Sequence, residues 1–540
     1  MKKRYLAIIV LFGVLLLSSN LFSYTGETVE LYDSQQNPVE IEVLHSNEDE
    51  IEIEYQINSF IKRGEAINNQ DYSHVNIPYE GIYLEKGYPA LPKINRSVLI
   101  PANAKMEAQV VESEVEIFEN FNVVPSKGNL TRNINPEDVP YEFDEFYSSN
   151  RWFPEQVVTT GKPYLIRDAR GIVVNFNPFQ YNPEKEVLKV YKKVRILVKK
   201  VGTSTINTAE VDISDKKTLI HSFKPIYENH FINFKQTRYP DFAEVGKMLI
   251  ITYDDFYSAV EPLYDWKRQK GIPTELVNVS TIGNNSSSIK NYIQNKYDDE
   301  GVTFILLVGD AAQVAPCDGD QDPRYTLLAG GDNYPDAFVG RFSAENTTQV
   351  ETQVSRVLSY ECDPFFGSDW THKGMGVASN QGTGYNGWYD NEMMDHIRDS
   401  LMTFTYTEVD QIYDPSASPS DVSAAINDGR SIGNYCGHGS TTSWGSSGFS
   451  NTHVNALTNE NMWPYILSVA CVNGNFTGTT CFAEAWLRAT HNTTGEPTGA
   501  IAMYASTINQ SWTPPMQAEF HANMLLKNEV KNTIGGLYFS

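Results

Sequence analysis

Cysteine is scarce in this chain: five residues in 540, and none before Cys317. The five, Cys317, Cys362, Cys436, Cys471 and Cys481, form an odd set without regular spacing and without a C-x-x-C pair. That excludes a dense disulfide framework and a thiolate zinc site, and it leaves a thiol over for chemistry. Basic residues are also few, 42 Lys and Arg against 67 Asp and Glu, for a formal charge of −25. Nucleic acid is excluded as a partner on that balance, because phosphate backbones demand clustered cations. Long apolar runs are missing except from Leu6 to Leu17, which follows three basic residues and precedes small polar ones. That run is short for a membrane span and has the layout of a secretory signal peptide over residues 1–23, with an uncleaved anchor as the other reading. A secreted or cell-surface protein with no further membrane span is expected.

What is present falls into two regimes. Up to about residue 238 the hydrophobic period is two: "IEIEYQIN" (51–58) alternates Ile51, Ile53, Tyr55 and Ile57 with polar partners, and "VRILVKK" (194–200) ends a similar run. Such segments, broken by "NPEK", "PSKG" and "IPANA", read as an antiparallel β domain. After about Val245, short continuous apolar runs such as "KMLIITY" (247–253), "TFILLVGD" (303–310) and "WPYILSVA" (463–470) alternate with helical stretches such as "NEMMDHIRDSLM". Repeated β–α units predict a largely parallel sheet covered by helices. A Pro/Gly/aromatic break at "CDPFFGSDW" (362–370) divides that region into two α/β halves.

In open α/β sheets function gathers at the carboxyl ends of the strands. "NYCGHGSTTSW" (434–444) sets His438 between two glycines just past one predicted strand, and "PYILSVACVNGNF" (464–476) sets Cys471 just past the next. Gly437 and Gly439 let the loop turn sharply and let a substrate backbone approach the imidazole. A thiol beside an imidazole can become a nucleophile, and the N–H groups of Gly439 and Cys471 are placed to receive an oxyanion. On chemistry alone Cys471 reads equally well as a small buried residue closing a strand. His453, in "SNTHVNAL", is a rival base, though its place before a helical run suits capping.

Several long stretches in order, "NYCGHGSTTSWG", "SVACVNGNF", "CFAEAWLRAT", "EPTGAIAMYASTINQSW", "PSKGNLTRNINPEDVPY" and "IRDARGIVVNFNPFQYNP", resemble the gingipains, the C25 family of cysteine peptidases, and most of all the arginine-specific ones. The resemblance implies a caspase-like α/β catalytic domain of two largely parallel subdomains, made behind an inhibitory β-rich prodomain. It divides the chain into a signal peptide (1–23), a prodomain (24–238), subdomain A (239–365) and subdomain B (366–540). It also implies that the chain stops, at "GGLYFS", short of further α/β, immunoglobulin-like and sorting segments. Carried over, Cys471 is the nucleophile, His438 the general acid/base, and the Gly439 and Cys471 amides the oxyanion hole. The implied activity is endopeptidase cleavage of protein or peptide substrates after arginine, with lysine the other candidate. The alternative is a surface binding protein on the same scaffold with a slow or dead dyad.

The resemblance also places Asp390 at the floor of an arginine pocket walled by Trp512 and Met516. On sequence alone, Asp390 reads better as a cap for the helix it precedes, and the other two as core. A carboxylate there could take a guanidinium bidentately. Two departures stand out: the position behind the histidine is a neutral Gln381, and Cys436 replaces a threonine and is expected to alter the pocket rim. Arg238–Tyr239, in "FKQTRYPDF", is the implied maturation site, or simply a linker. Arg132, in "GNLTRNINPED", is the arginine the prodomain would offer to its own enzyme. Finally, Asp310, Asp332 and Asp336 with the main-chain oxygens of Ala329 and Tyr334 match a structural calcium site, calcium being a hard, oxygen-seeking ion. No catalytic metal is expected. The alternating Asp318, Asp320 and Asp322 read equally as a solvated acidic loop.

Overall fold

The structure, a computed structural model, describes residues 26–32, 37–213, 219–234, 242–244, 246–365, 367–530 and 533–538. The signal-peptide run and the Arg238–Tyr239 junction lie outside the described residues. The N-terminal part is built of antiparallel strands. In Glu50–Ile57 every second residue is buried and every other one half-exposed, the burial pattern that a period of two dictates when one face packs on a core. That strand pairs with Val39–Ser46 and with the long strand Val187–Thr203, which also carries Ala104–Phe118. A second sheet pairs Tyr164–Ile166, Ala169–Phe176 and Pro92–Leu99. Ile53, Ile57, Val98, Val174 and Phe176 pack into one core with no exposed area, each burial contributing about 1.5–3 kcal/mol.

The C-terminal part holds two parallel sheets. Subdomain A orders its strands Thr274–Asn278, Lys247–Thr252, Val302–Val308 and Phe338–Phe342. Subdomain B orders Glu408–Tyr413, Lys373–Ala378, Ile432–Cys436, Tyr465–Val469 and Ala502–Ala505. Helices pack on both sheets, and the inner strands Val302–Val308 and Tyr465–Val469 are buried almost throughout, which is why they read as continuous apolar runs. Helix boundaries follow local chemistry. Asn285 caps Ser286–Glu300 by accepting the Ser288 N–H, and Gly301, at φ +69°, closes its far end.

The two halves are connected between the helix Thr347–Cys362 and the strand Lys373–Ala378. Arg356 pins them together. Its buried guanidinium donates to the carbonyls of Leu487, Ala489, Thr498 and Ala500, and burial without a carboxylate pulls it down to about 9. Among the described residues no helix is long and apolar enough to cross a membrane.

Candidate active site

The strands Ile432–Cys436 and Tyr465–Val469 are parallel neighbours, with Cys436 opposite Val469. His438 and Cys471 each follow two residues later, so both leave the same carboxyl edge side by side. Gly439 shows how tightly the two loops meet. A Cβ there would lie 2.8 Å from both the Ala470 Cβ and the Cys471 carbonyl oxygen, so only glycine lets the backbone of the histidine loop lie on the cysteine loop. The residue after Cys471 is Val472, held at φ +50°. A β-branched residue in the left-handed region is strained, and such strain collects at functional turns. Asn473 then stitches the loops together. Its buried amide donates to the carbonyls of Ser440 and Ser443 and accepts from the Ser468 hydroxyl.

His438 Nε2 lies 2.9 Å from the Gln381 side-chain oxygen. An amide oxygen only accepts, so this bond places the proton on Nε2 and leaves Nδ1 as the basic atom. The ring meets Trp512 edge-on at 5.8 Å. His453 is otherwise engaged, its Nδ1 accepting the Ser450 N–H at the start of Asn451–Val454.

Beside this edge, Arg132 from the N-terminal part enters a closed pocket. Neither it nor Asp390 has exposed surface. Its Nη1 reaches both Asp390 oxygens at 3.2 and 3.1 Å, its Nη2 reaches Oδ1 at 3.2 Å, and its Cζ lies 4.5 Å from the Trp512 ring. Burial opposes the guanidinium charge, but Asp390 outweighs it and holds Arg132 above the usual arginine range. Asp390 is the first residue of the helix Asp390–Met402 rather than its cap: Tyr389 occupies the cap, its N–H taken by Glu392. The Asp390 side chain turns inward instead, where the Ser379 hydroxyl donates to it at 2.6 Å.

Trp512 and Met516 come close because Gly382 and Gly384 lack side chains. A Cβ would meet the Trp512 ring at 2.0 Å or the Met516 sulfur at 2.2 Å. The entering segment is also held by its backbone: Arg132 N–H donates to the Gln510 carbonyl, and Thr131 bridges Ser511 antiparallel.

Cys436 corrects one expectation. It lies against the guanidinium, not at the pocket rim: its sulfur is 3.2 Å from Arg132 Nη2 and 3.1 Å from Asp390 Oδ1. Burial first, then Asp390, push its thiol well above the usual range, so it is a neutral S–H donor to the carboxylate. Sequence reasoning missed Ser379, Asn473 and the fully buried Glu519. The last lies one turn beyond Met516, its carboxyl raised by burial and facing Arg132 and Asp390. No sequence signal marked it, because Gln517, His521 and Asn523 make the same helix stretch mixed in polarity.

The implied calcium set is not assembled. Asp310 Oδ2 pairs with Arg488 at 3.2 Å. Asp332 accepts the N–H groups of Leu165 and Tyr334, and Asp336 those of Arg167, Leu328 and Ala329. Among the described residues no three His, Cys, Asp or Glu side chains are grouped to hold a metal. Carboxylate oxygens already facing N–H donors do not fit the ion as arranged. In the other acidic loop, Asp318 pairs with Arg324 and Asp322 with Arg341.

Comparison with known proteins gives two family matches, Peptidase family C25 over residues 243–539 and Propeptide_C25 over residues 30–236. Gingipain R2 of Porphyromonas gingivalis (strain ATCC BAA-308 / W83) is 36% identical over 476 residues, covering 85% of this chain and 64% of the relative. Gingipain R1 of the same species is 36% identical, covering 85% of this chain and 47% of the relative. Lys-gingipain HG66 is 24% identical over 82% of this chain and 26% of the relative. The chain thus spans about half to two thirds of the arginine-gingipain relatives it matches. The solved complex of Porphyromonas gingivalis RgpB pro- and mature domains matches with a TM-score of 0.53 and 36% identity, over 54% of this chain and 72% of that one.

Proposed function

The chain belongs to peptidase family C25, and on that premise we propose that it is the precursor of a secreted cysteine endopeptidase that cleaves after arginine. One observation carries the reading: a prodomain arginine, Arg132, sits on Asp390 beside the Cys471–His438 edge, as a substrate side chain would.

In the proposed reaction His438 Nδ1 takes the Cys471 proton, and the sulfur attacks the carbonyl carbon after the arginine. The Gly439 and Cys471 N–H groups receive the oxyanion, and the imidazolium returns its proton to the leaving amine. Water, giving its proton to the same ring, then displaces the sulfur and restores the thiol. Gln381 orients the ring without adding charge, so it stabilises the imidazolium less than a carboxylate would. Asp390 selects the guanidinium, whose planar donors match two oxygens in a way an ammonium cannot. Arg132 keeps the precursor latent, and cleavage at Arg238–Tyr239 is the proposed maturation step.

A fluorogenic panel with Arg, Lys or Asn before the scissile bond tests this on the self-processed chain. The expected order is Arg first and Lys far behind, with all signal lost in Cys471→Ala. Equal rates for Arg and Asn would remove Asp390 from the pocket. The neutral Gln381 behind the histidine favours a second reading, a binding protein with a slow dyad. That reading prevails if Cys471 does not react with an arginyl chloromethyl ketone.

A further inference from the structure

Arg132 is not the only prodomain arginine buried in the catalytic part. Arg167 and Asp168 form the two-residue turn joining Tyr164–Ile166 to Ala169–Phe176, with Ile166 opposite Ala169 and Arg167 at φ +50°. The side chain projects into subdomain A and keeps 6% of its surface exposed. Its Nη2 donates to the Gly301 carbonyl at 3.0 Å, and its Nη1 to the carbonyls of Asp336 at 3.1 Å and Val302 at 3.3 Å. The guanidinium carbon lies 5.1 Å from the Tyr297 ring centre, while the N-terminal part adds the Phe223 ring at 5.2 Å and Asp168 Oδ2 at 3.7 Å from Nε. The backbone of the turn is read as well, since the Arg167 N–H donates to Asp336 Oδ1 at 2.6 Å.

The catalytic part supplies every one of these hydrogen-bond acceptors, and its own structure fixes them. Gly301 ends the helix Ser286–Glu300, so carbonyls with no helical partner and the negative end of the helix dipole face the cation. Asp336 has no exposed surface, and its Oδ2 is anchored by the N–H groups of Leu328 and Ala329. Three carbonyls spread around a flat cation and an aromatic face beside it select guanidinium over ammonium, whose three donors radiate from one point.

We infer that the catalytic part carries a second guanidinium-binding site, on the other sheet from the Asp390 pocket, which Arg167 fills here. Once the prodomain leaves, the site takes an arginine at the tip of a tight turn on another protein. That last step rests on the precursor reading above; the existence of the site does not. Its ligand class is set by the cradle: one guanidinium plus the N–H of the residue that bears it.

The test uses the full-length chain, in which the Asp390 pocket stays filled by Arg132. Arg167→Ala empties the cradle, and N-ethylguanidine is the probe, with ethylamine as control. The variant is expected to melt several degrees below the parent chain, to recover most of that loss as N-ethylguanidine is added, and to recover little with ethylamine. The parent chain should respond to neither. Arg167→Lys, which keeps the charge, covers the case in which the alanine variant does not fold. It should melt clearly below the parent chain, and a lysine variant as stable as arginine overturns the inference. So does a folded Arg167→Ala chain that N-ethylguanidine leaves unchanged. Neither result bears on peptidase activity, which the fluorogenic panel decides separately.

Discussion

Replacing Arg132 by alanine in the full-length chain should expose the thiol of Cys471. The substitution removes every contact made by the guanidinium and leaves Asp390 in a closed pocket with Ser379 and Cys436 as its side-chain partners among the described residues. Removing one member of a fully buried ion pair costs about 3–5 kcal/mol. At about 1.4 kcal/mol for each factor of ten, that becomes roughly a hundred- to a few-thousand-fold rise in the population with an open pocket. The assay is the rate at which an arginyl chloromethyl ketone alkylates Cys471, followed by mass spectrometry of the peptide that contains it. This separates it from the exposed Cys362. The backbone bond from Arg132 to Gln510 survives the substitution, so the gain should fall short of complete opening. A labelling rate within a factor of two of the parent chain would show that Arg132 does not hold the pocket shut, and would take the latency argument with it.

Three other outcomes can be checked. Gln381→Ala frees the imidazole to rotate and should lower kcat about 10- to 100-fold with little change in KM, read on the processed chain; an unchanged kcat would mean that packing against Trp512 suffices. Burial lowers His74 to about 3 and His230 to about 4, and lowers His521 as well, with Arg63 and Lys127 adding to the effect at His74 and Arg96 at His521. These rings are neutral when folded and take up protons near pH 6.5 when released. Stability should therefore be full above about pH 6.5 and fall below it toward the folded values, by about 1.4 kcal/mol per ring per pH unit, visible as a falling Tm that His74→Gln makes less steep. Because Asp332 and Asp336 already face N–H donors, EGTA should leave the precursor's Tm unchanged. A loss of several degrees would show that these carboxylates exchange their donors for an ion.

The fold could be read from the sequence where one periodicity ruled. Ile51, Ile53, Tyr55 and Ile57 announce a half-buried strand, and the apolar runs at 247–252 and 465–469 announce strands covered on both faces. The meeting of His438 and Cys471 loops followed from strand order and from glycine at 439. The pocket was different. Asp390 alone looked like a helix cap, because the residues that turn it inward, Ser379, Cys436 and Arg132, come from other strands and from another domain. Asn473 and Glu519 left no periodic trace, since their roles come from tertiary neighbours distant in sequence. The cation site at Asp310, Asp332 and Asp336 came from the resemblance alone, and a resemblance carries over carboxylates without the backbone amides of Leu165 and Arg167 that reach Asp332 and Asp336 here. Cys436 looked like a rim residue because alternation in a strand buried on both faces does not say which face the pocket takes.

If the chain cleaves after arginine as proposed, the antiparallel bridge from Thr131 to Ser511 predicts what kind of polypeptide it would cut. A chain entering as this segment does would be gripped along its main chain and by one cationic side chain. An arginine in a stretched-out segment would then qualify, whereas the same arginine wound into a helix could not offer its amide to residue 510. Folded targets would be cut at floppy edges first.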